Sequence, residues 1–368
     1  MVVGGVLSWD QAVAYVDAHT LALLFGMMIV TAYLRLSGFF ALVVAWVTRR
    51  ARTPVGLLGA VVVASGALSA LFVNDVVCVV LAPLVVSLAR QLALPPVPYL
   101  IALATASNVG SVATLTGNPQ NMLVGSFSGL SYRSFLLAEG PVAVVGLLCV
   151  WLIIWLVYRR SLPPVLGEVR GGPRVPVHYP LMIKTNLVVL VMLAAFLAGV
   201  PIAVVAIAGA AYTLLTRRVK PQRVYREINW GLLVLFTGLF VVIGGLERAG
   251  LVQELLGLAD TASLHRPAVF TVVTVVLSNL VSNVPAVLLL KSLVPSFGEP
   301  TRGWLILAMA STLAGNLTLI GSVANLIVAE SAREARIRIG FLEYTRVGIP
   351  LTIVTLVLGW LILVLIPV

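Results

Sequence analysis

The sequence contains few charged residues, and this scarcity excludes most soluble folds. Only 10% of its 368 residues are Asp, Glu, Lys or Arg, whereas 60% are hydrophobic. Soluble domains are about 45–50% apolar and about 25% charged. Together with a mean hydropathy of +1.10, these values predict an all-α polytopic membrane protein.

Residues for metal, disulfide and nucleotide chemistry are also scarce. The two cysteines, Cys78 and Cys149, lie in apolar runs and are expected to be packing residues. The three histidines have no metal-ligand spacing. The sequence also lacks Walker A, Rossmann, G-x-S-x-G and H-E-x-x-H motifs, so it gives no support for an ATP-driven pump or a hydrolase. We therefore predict neither an enzyme nor a bound cofactor.

Basic residues outnumber acidic residues by 24 to 13, and their positions indicate membrane topology. Lys and Arg cluster in the short connections 159–184 and 217–226, and aromatic residues do not interleave with them, so nucleic-acid binding is not expected. Two predicted spans separate these connections, which therefore lie on the same side. The positive-inside rule makes that side cytoplasmic and places both termini outside. The predicted location is the inner membrane of a bacterium or an archaeon.

Polar residues and helix breakers interrupt one apolar segment, residues 98–124. Within 107–121, Gly110, Gly117 and Pro119 weaken a helix, and hydroxyl and amide side chains accompany them. In the membrane, unwound backbone is tolerated only where it is buried in protein or lines a cavity. We therefore predict a broken transmembrane helix.

The same interruption recurs in the second half, within residues 304–328. The alignment pairs Thr114 with Thr318, Gly117 with Gly321, Asn118 with Ser322, and Asn121 with Asn325. Paired interruptions at corresponding places in two halves point to the binding site of a secondary transporter.

The remaining apolar segments give both halves the same order of elements. The first repeat, residues 1–158, is predicted to contain a scaffold span at 18–34, a re-entrant hairpin at 55–88, the broken helix at 98–124 and a span at 136–158. A cytoplasmic linker occupies 159–184. The second repeat, residues 185–368, is predicted to contain scaffold spans at 186–199, 202–216 and 230–246, a hairpin at 268–294, a broken helix at 304–328 and a span at 348–366. Because the halves begin on opposite sides, they form inverted-topology repeats.

Smaller features complete the predicted topology. Segments 39–47 and 251–264 are too short to cross about 30 Å of hydrocarbon and are predicted to lie at the membrane interfaces. The first repeat has fewer spans ahead of its hairpin, so either two scaffold spans are absent or the chain starts late. The start of the chain shows no signal-peptide pattern and is treated as part of the fold. Glu139 and Glu343 are interpreted as helix-start acids that interact with helix dipoles.

Asp75 is the only carboxylate that this topology places at membrane depth. A charge at the bilayer centre costs at least about 2.5–3.5 kcal/mol, so the functional interpretation is a cation ligand or a proton carrier. The alternative is a structural carboxylate bonded to a neighbouring helix end. Helix N-termini near Asn74 and Asn283 would offer free amides and a positive dipole end to an oxyanion.

The polar residues of the hairpin tips and breaks form the candidate site for substrate and ion. They can instead satisfy amides freed by Gly and Pro, and both roles are compatible beside a cavity. The candidates are Asn74, Asp75, Asn108, Thr114, Gly117, Asn118, Asn121, Ser282, Asn283, Thr312, Thr318, Gly321, Ser322 and Asn325. Backbone carbonyls and side-chain oxygens suit a sodium ion. Its expected ligands are Asn74, Asp75, Asn108, Asn118, Asn283 and Ser322.

The chain resembles the ion transporter superfamily over nearly its full length. The motifs are Asn74-Asp75, Gly117-Asn118-Pro119-Gln120-Asn121, Ser282-Asn283-Val284 and Gly321-x-x-x-Asn325. This superfamily includes arsenite permeases, citrate and dicarboxylate symporters and sodium/proton antiporters, and the chain is most similar to short bacterial anion permeases. The resemblance implies two repeats with re-entrant hairpins, often in a dimer, and a transport domain that slides against a scaffold.

The hairpin tips depart from those of the dicarboxylate symporters, in which each tip reads Ser-Asn-Thr and binds sodium and a substrate carboxylate. Here the tips read Val73-Asn74-Asp75 and Ser282-Asn283-Val284, so both share only the Asn. Proton coupling and an uncoupled inorganic anion therefore stay open beside sodium coupling.

The sequence thus predicts a secondary active transporter for a small anion, either an inorganic oxyanion or a carboxylate. It is expected to work by elevator-like alternating access and to be coupled to sodium or protons; the sliding motion is implied by the resemblance. The alternatives are a sodium/proton antiporter, an arsenite efflux permease and, from a different class, a passive anion channel. The expected partners are the anion, the lipid bilayer and a second copy of the chain.

Overall fold

A computed structural model of the protein describes residues 1–2, 4–166, 177–215, 219–251, 254 and 265–365. Most of the predicted interfacial segment 251–264 and part of the predicted linker lie outside these residues. The helices of the first half are α1 (Trp9–Ala14), α2 (Ala18–Ser37), α3 (Phe39–Arg50), α4 (Pro54–Leu71), α5 (Asn74–Gln91), α6 (Pro96–Ser111), α7 (Pro119–Ser128) and α8 (Tyr132–Tyr158).

The second half continues with α9 (Tyr179–Leu197), α10 (Ile202–Leu214), α11 (Pro221–Tyr225), α12 (Trp230–Arg248), α13 (Pro267–Val281), α14 (Asn283–Leu290), α15 (Pro300–Ala314), α16 (Val323–Glu334) and α17 (Phe341–Leu365). Short 3-10 turns lie at Val294–Ser296 and Leu319–Gly321. Within the described residues, seven helices are long and apolar enough to cross a membrane, and α10 and α13 are shorter apolar helices.

The first hairpin consists of α4, a short extended turn and α5. Thr53 caps α4 by accepting a hydrogen bond from the Gly56 amide at 3.0 Å, and Pro54 occupies the first helical position. The second helix starts at Asn74, whose backbone amide donates to the Gly117 carbonyl at 2.9 Å. This bond ties the tip of the hairpin to the first break.

The second hairpin turns more sharply than the first. A single residue, Ser282, separates α13 from α14, and its φ of 79° lies in the region that favours glycine. Backbone strain of this kind is found mainly at functional sites. The following helix, α14, has only eight residues, so this hairpin is shorter than the first.

One helix begins well inside the predicted linker. The observed α9 starts at Tyr179 instead of residue 186, with Pro180 in its first turn. The helix therefore includes Lys184, which the charge pattern assigned to a loop. Its amine binds the Tyr212 carbonyl oxygen at 3.1 Å and lies 4.7 Å from the centre of the Tyr212 ring, so the cation has partners on the neighbouring helix.

Helix α6 is the buried centre of the first repeat. Every residue from Pro98 to Ser111 is buried, and the helix packs against α4, α5, α8 and α16. Its closest approach is to α4, where a Cβ on Gly110 would overlap the backbone of Gly66. This glycine therefore allows the two backbones to touch.

The order of hairpin, broken helix and long helix occurs twice, first in α4–α8 and again in α13–α17. The breaks occupy residues 112–118 and 315–322. The predicted all-helical polytopic fold with two repeats, each containing a re-entrant hairpin and a broken helix, is confirmed.

Candidate functional site

One asparagine holds each break by binding the backbone carbonyls that the break leaves free. Nδ2 of Asn121 donates to the carbonyl oxygens of Ser111 and Thr114, both at 3.0 Å. Nδ2 of Asn325 makes the two equivalent bonds at 2.7 and 3.1 Å, again to carbonyls ten and seven residues earlier. The two breaks therefore share one local fold, as the aligned residues predict.

The aligned glycines also occupy equivalent places. A Cβ on Gly117 would overlap the carbonyl oxygen of Ser111, and a Cβ on Gly321 would lie 2.9 Å from that of Gly315. Neither position can hold a larger residue, because in each break the chain folds back onto a carbonyl group at the end of the preceding helix. The glycines shape the breaks.

Asn108 of α6 connects the first hairpin to the second break. Its Oδ1 accepts hydrogen bonds from Asn74 at 3.0 Å and from the Ser322 hydroxyl at 3.1 Å. Its Nδ2 donates to the side chains of Asn316 at 2.9 Å and Asn325 at 3.1 Å. A buried amide thus makes four side-chain contacts, three of them with the other repeat.

Thr312 of α15 makes the reciprocal connection to the first break. Its hydroxyl accepts from Asn118 and Gln120, both at 3.2 Å, and lies 3.4 Å from Oδ1 of Asn121. The helix before each break therefore holds the break of the other repeat. Reciprocal contacts of this kind are those of a two-fold interface, so the two repeats are related by a pseudo-two-fold axis.

A cavity of about 320 Å³ lies between the hairpin tips and the breaks; we call it the central cavity. Four helices begin at its wall. Their N-terminal residues are Asn74 and Asp75 of α5, Pro119 and Gln120 of α7, Asn283 and Val284 of α14, and Ser322 and Val323 of α16. Each N-terminus carries the positive end of a helix dipole and first-turn amides without intrahelical partners. Three of these amides, those of Asn74, Asn121 and Ala324, are already bonded to other groups of the protein. The arrangement favours negative charge in the cavity.

The remaining wall of the central cavity is apolar and comes from α12. Its lining side chains are Leu232, Leu235, Phe236 and Leu239. This helix packs against α2 and against α14. It is one of the helices predicted to form the scaffold, so the central cavity lies between this scaffold helix and the hairpins and breaks.

Asp75 is the one ionisable side chain in the described lining of the central cavity, which contains no Lys, Arg or His. The residue is 8% exposed. Among the described residues it forms no ion pair, and no group of three His, Cys, Asp or Glu side chains is arranged to hold a metal ion. Its carboxyl group is therefore free to bind a cation or a proton in the cavity.

The structure divides the predicted site residues into a lining and a support. Those that line the central cavity are Asn74, Asp75, Ser282, Asn283 and Ser322. Those that lie behind the lining are Asn108, Thr114, Gly117, Asn118, Asn121, Thr312, Thr318, Gly321 and Asn325. Most of the supporting side chains form hydrogen bonds with the backbone or with neighbouring side chains; the Thr114 hydroxyl, for example, donates to the Ala70 carbonyl at 2.6 Å. Thr318 is half-buried, and its hydroxyl forms no hydrogen bond among the described residues.

The predicted sodium ligands do not all meet. Asn108 is bonded to both Asn74 and Ser322. Asn118 instead contacts Thr312. The buried Oδ1 atoms of Asn74 and Asn283 have no hydrogen-bond partner among the described residues, so each hairpin tip contributes one amide oxygen without a protein partner.

The residues that sequence reasoning missed are of two kinds. Gln120 and Asn316 are polar and lie within the predicted interruptions, so their position was a usable signal. The apolar wall of α12 carried no signal, because its side chains resemble those of any lipid-facing helix.

A second cavity, of about 440 Å³, lies between the first break and the scaffold; we call it the lateral cavity. It is lined by Leu115 and Met122 near the break, by Tyr132 of α8 and by residues of α2 and the α9–α10 connection. The lateral cavity therefore reaches the first break without including the residues of the central one.

The interpretation of Glu139 as a helix-start acid is wrong. Helix α8 begins at Tyr132 after a Ser131 cap, which places Glu139 eight residues into the helix. Its side chain is fully buried, with both carboxylate oxygens unpartnered among the described residues. Glu343, by contrast, does lie in the first turn of α17. Asp75 is therefore not the only buried carboxylate.

Comparison with known proteins agrees with this architecture. A model of the citrate transporter family matches residues 1–314. The silicon efflux transporter LSI3 of Oryza sativa subsp. japonica is 31% identical over 98% of this chain and 89% of its own length. The inner membrane protein YbiR of Escherichia coli (strain K12) is 31% identical over 98% and 90%.

Among solved structures, the YdaH transporter of Alcanivorax borkumensis matches with a TM-score of 0.65 over 96% of this chain and 86% of that chain, at 20% identity. The likeness shows the fold. The family model and the sequence relatives make the protein a multi-pass membrane transporter with bacterial relatives, and not an enzyme. The chain belongs to the citrate transporter family.

Proposed function

We propose that the protein is a secondary active transporter of a small anion, an inorganic oxyanion or a carboxylate, coupled to sodium or protons. It would act in the inner membrane with both termini outside. The observation that carries the proposal is the convergence of four helix N-termini on the central cavity. Each N-terminus is equivalent to roughly half a positive elementary charge, so the cavity attracts an anion without a basic side chain.

The size and lining of the central cavity support a small solute. Its volume of about 320 Å³ lies at the lower end of the range of roughly 300–1,000 Å³ found for ligand pockets. Polar groups come from the hairpin tips, including Ser282 and the unpartnered amide oxygen of Asn283. The names of the relatives are compatible with a small solute. The matching family is described as a citrate transporter, and one relative is named a silicon efflux transporter.

Asp75 gives the physical reason for coupling. An ionised carboxylate about 6 Å from a bound anion would oppose it by about 2.8 kcal/mol at an effective dielectric constant of about 20. A sodium ion or a proton on Asp75 removes this repulsion and so raises the affinity for the anion by roughly 100-fold, since 1.4 kcal/mol is a factor of ten. Anion and cation would therefore bind together.

Alternating access requires the site to face each side in turn. We propose that the hairpins and breaks move as one body along the apolar wall of α12. The reciprocal bonds of Asn108 and Thr312 support a single moving body, because they hold both breaks together. The smooth apolar side chains of α12 offer few polar contacts that would resist sliding.

The test is a flux panel in proteoliposomes under imposed sodium and proton gradients, with citrate and phosphate as anionic probes and with silicic acid and arsenite, which are mainly uncharged acids at neutral pH, as neutral probes. Wild type is expected to accumulate one of the anionic probes with one of the gradients. Asp75→Asn is expected to lose accumulation, whereas Asp10→Asn, an exposed acid on α1, keeps it. Anion transport that ignores both gradients and the Asp75 substitution would refute the coupling.

A second candidate, cation/proton exchange, is favoured by one observation. Asp75 stands without a basic side chain in the described lining of the central cavity, as an exchanging carboxylate would. The same vesicles distinguish the two candidates. Exchange predicts sodium-driven proton movement in the absence of every anion probe, whereas anion transport predicts none.

A further inference from the structure

Glu139 is a buried carboxyl group that the central cavity does not use. It is 0% exposed, and neither of its oxygens has a hydrogen-bond partner among the described residues. An unpaired carboxylate removed from water costs several kcal/mol, and acidic residues within membrane segments are rare and usually functional. The group therefore calls for an explanation other than packing.

The position of Glu139 can be read from its neighbours on α8. Tyr132, Glu139 and Gly146 recur every seven residues and so share one face of the helix. The Tyr132 hydroxyl lies 3.4 Å from the Thr116 hydroxyl inside the first break, and a Cβ on Gly146 would contact Val109 just before it. Glu139 lies between these two contacts and is therefore level with the first break.

The second repeat has a glycine at the position that corresponds to Glu139, which shows that close packing there does not need a carboxyl group. Pro141 and Pro350 are both the tenth residue of their helices, α8 and α17, and aligning them places Glu139 on Gly348. That glycine packs directly on the Asn316 and Leu317 carbonyls of the second break. Because a glycine fills the equivalent place, the carboxyl group is not needed to close the contact.

No described cation forms an ion pair with Glu139. The elements packed on α8 are α4, α6, α9, α15 and α17, and α4 carries no ionisable residue. The ionisable groups of the others are Tyr99 on α6, Tyr179 and Lys184 on α9, Arg302 on α15, and Glu343, Tyr344 and Arg346 on α17. Arg302 is paired with Glu299, Lys184 binds the Tyr212 carbonyl, and Glu343 contacts Tyr158 at the far end of α8.

A chain of hydroxyl groups runs from the lateral cavity into the first break. Tyr132 lines the lateral cavity, its hydroxyl lies 3.4 Å from that of Thr116, and Thr116 lies 3.4 Å from the hydroxyl of Thr114. About 10.5 Å of helix separates Tyr132 from Glu139, at 1.5 Å per residue. The Glu139 oxygens do not bond to this chain, so a movement of the first break against α8 would be needed to bring water from the lateral cavity to the carboxyl group.

We propose that Glu139 is a proton-binding site, separate from the central cavity, that the moving first break exposes and buries in turn. The carboxylate takes a proton from water when exposed, is carried as the neutral acid and releases the proton to water on the other side. The inference rests on the proposed transport function for its role in coupling, but the proton-binding step can be tested without transport.

Infrared spectroscopy of the full-length protein in lipid tests the site directly. Because Asp75 can also carry a proton, all measurements are made in an Asp75→Asn background. This protein is expected to keep a carbonyl stretching band of a protonated carboxyl group at neutral pH, and adding Glu139→Gln is expected to remove it. Glu343→Gln in the same background is the matched control and should keep the band. Absence of the band in the Asp75→Asn protein, or its persistence after Glu139→Gln is added, overturns the proposal. Glu139→Asp, which retains a carboxyl group, should shift the band and serves if the Gln variant does not fold.

Transport tests the coupling role with the anion that the flux panel identifies. Glu139→Gln is expected to exchange this anion between the two sides at a rate near that of wild type, but to lose at least tenfold of the accumulation driven by a proton gradient. Unchanged proton-driven accumulation would overturn the coupling role. If wild type moves no probe at all, the proposed function fails while the infrared result still decides whether Glu139 binds a proton.

Discussion

Replacing Asn108 by Leu would remove the amide that joins the two repeats. The Asn108 side chain makes four hydrogen bonds, with Asn74, Ser322, Asn316 and Asn325. Leu has the same number and branching of side-chain heavy atoms but no polar atoms, so it leaves one buried donor or acceptor unpaired on each partner. The substitution thus tests the hydrogen bonds without opening a cavity.

The size of the effect follows from the number of bonds. Hydrogen bonds between membrane helices are worth about 0.6 kcal/mol each on average, because the unfolded chain in the membrane also finds partners. Four such bonds give about 2.4 kcal/mol. In water-soluble proteins an unsatisfied buried group costs about 1–3 kcal/mol. Four such groups would cost about as much as the total stability of many domains, so the smaller membrane value sets the expected loss.

The measurement is the free energy of unfolding in mixed micelles. The matched control is Thr105→Val, a residue of the same helix with the same burial, whose hydroxyl binds only the Ile101 and Ala102 carbonyls of its own helix. We expect the control to lose less than about 1 kcal/mol, the usual net value of one hydrogen bond. If Asn108→Leu costs no more than the control, the amide does not hold the repeats together.

Two further predictions concern helix packing and the moving parts. Gly110→Ala is expected to lower the melting temperature markedly, because the new Cβ would overlap the backbone of Gly66. Gly140→Ala is the control and should be tolerated, because the nearest atom to its new Cβ is 3.7 Å away. Equal melting temperatures of the two variants would refute the close approach of α6 and α4. Glu247→Gln removes the 3.4 Å ion pair with Lys291 that joins α12 to the end of α14. We expect the free energy of unfolding to change by less than about 1 kcal/mol and the transport rate to change. An unchanged transport rate would show that the ion pair does not restrain the motion.

The breaks and hairpin tips were predictable because their determinants are local. Gly117, Asn121 and their counterparts in the second half act on carbonyls within ten residues, so their spacing is visible in the sequence. The start of α5 at Asn74 also followed from the interruption of an apolar run. Short-range backbone chemistry therefore carries most of the fold information in this chain.

The division between lining and supporting residues was not predictable, because it depends on contacts across the repeats. Asn108 and Asn74 are both buried amides, yet only Asn74 lines the central cavity. Which of them faces the cavity depends on where α16 lies, more than 200 residues later. The burial of Glu139 was missed because the span was predicted to begin at residue 136, whereas the helix begins at Tyr132 after the Ser131 cap.

The central claim is that the transported ion binds where the four helix N-termini meet. Val323 lies at the start of α16, is exposed and lines the central cavity, while Ser126 is exposed in the lateral cavity. In a background with Cys78 and Cys149 replaced by Ala, each would be changed to Cys, and the rate of thiol labelling measured with the transported anion present. The account predicts that the anion slows labelling of Val323→Cys and leaves Ser126→Cys unchanged. Protection of Ser126→Cys alone, or of neither, would contradict it.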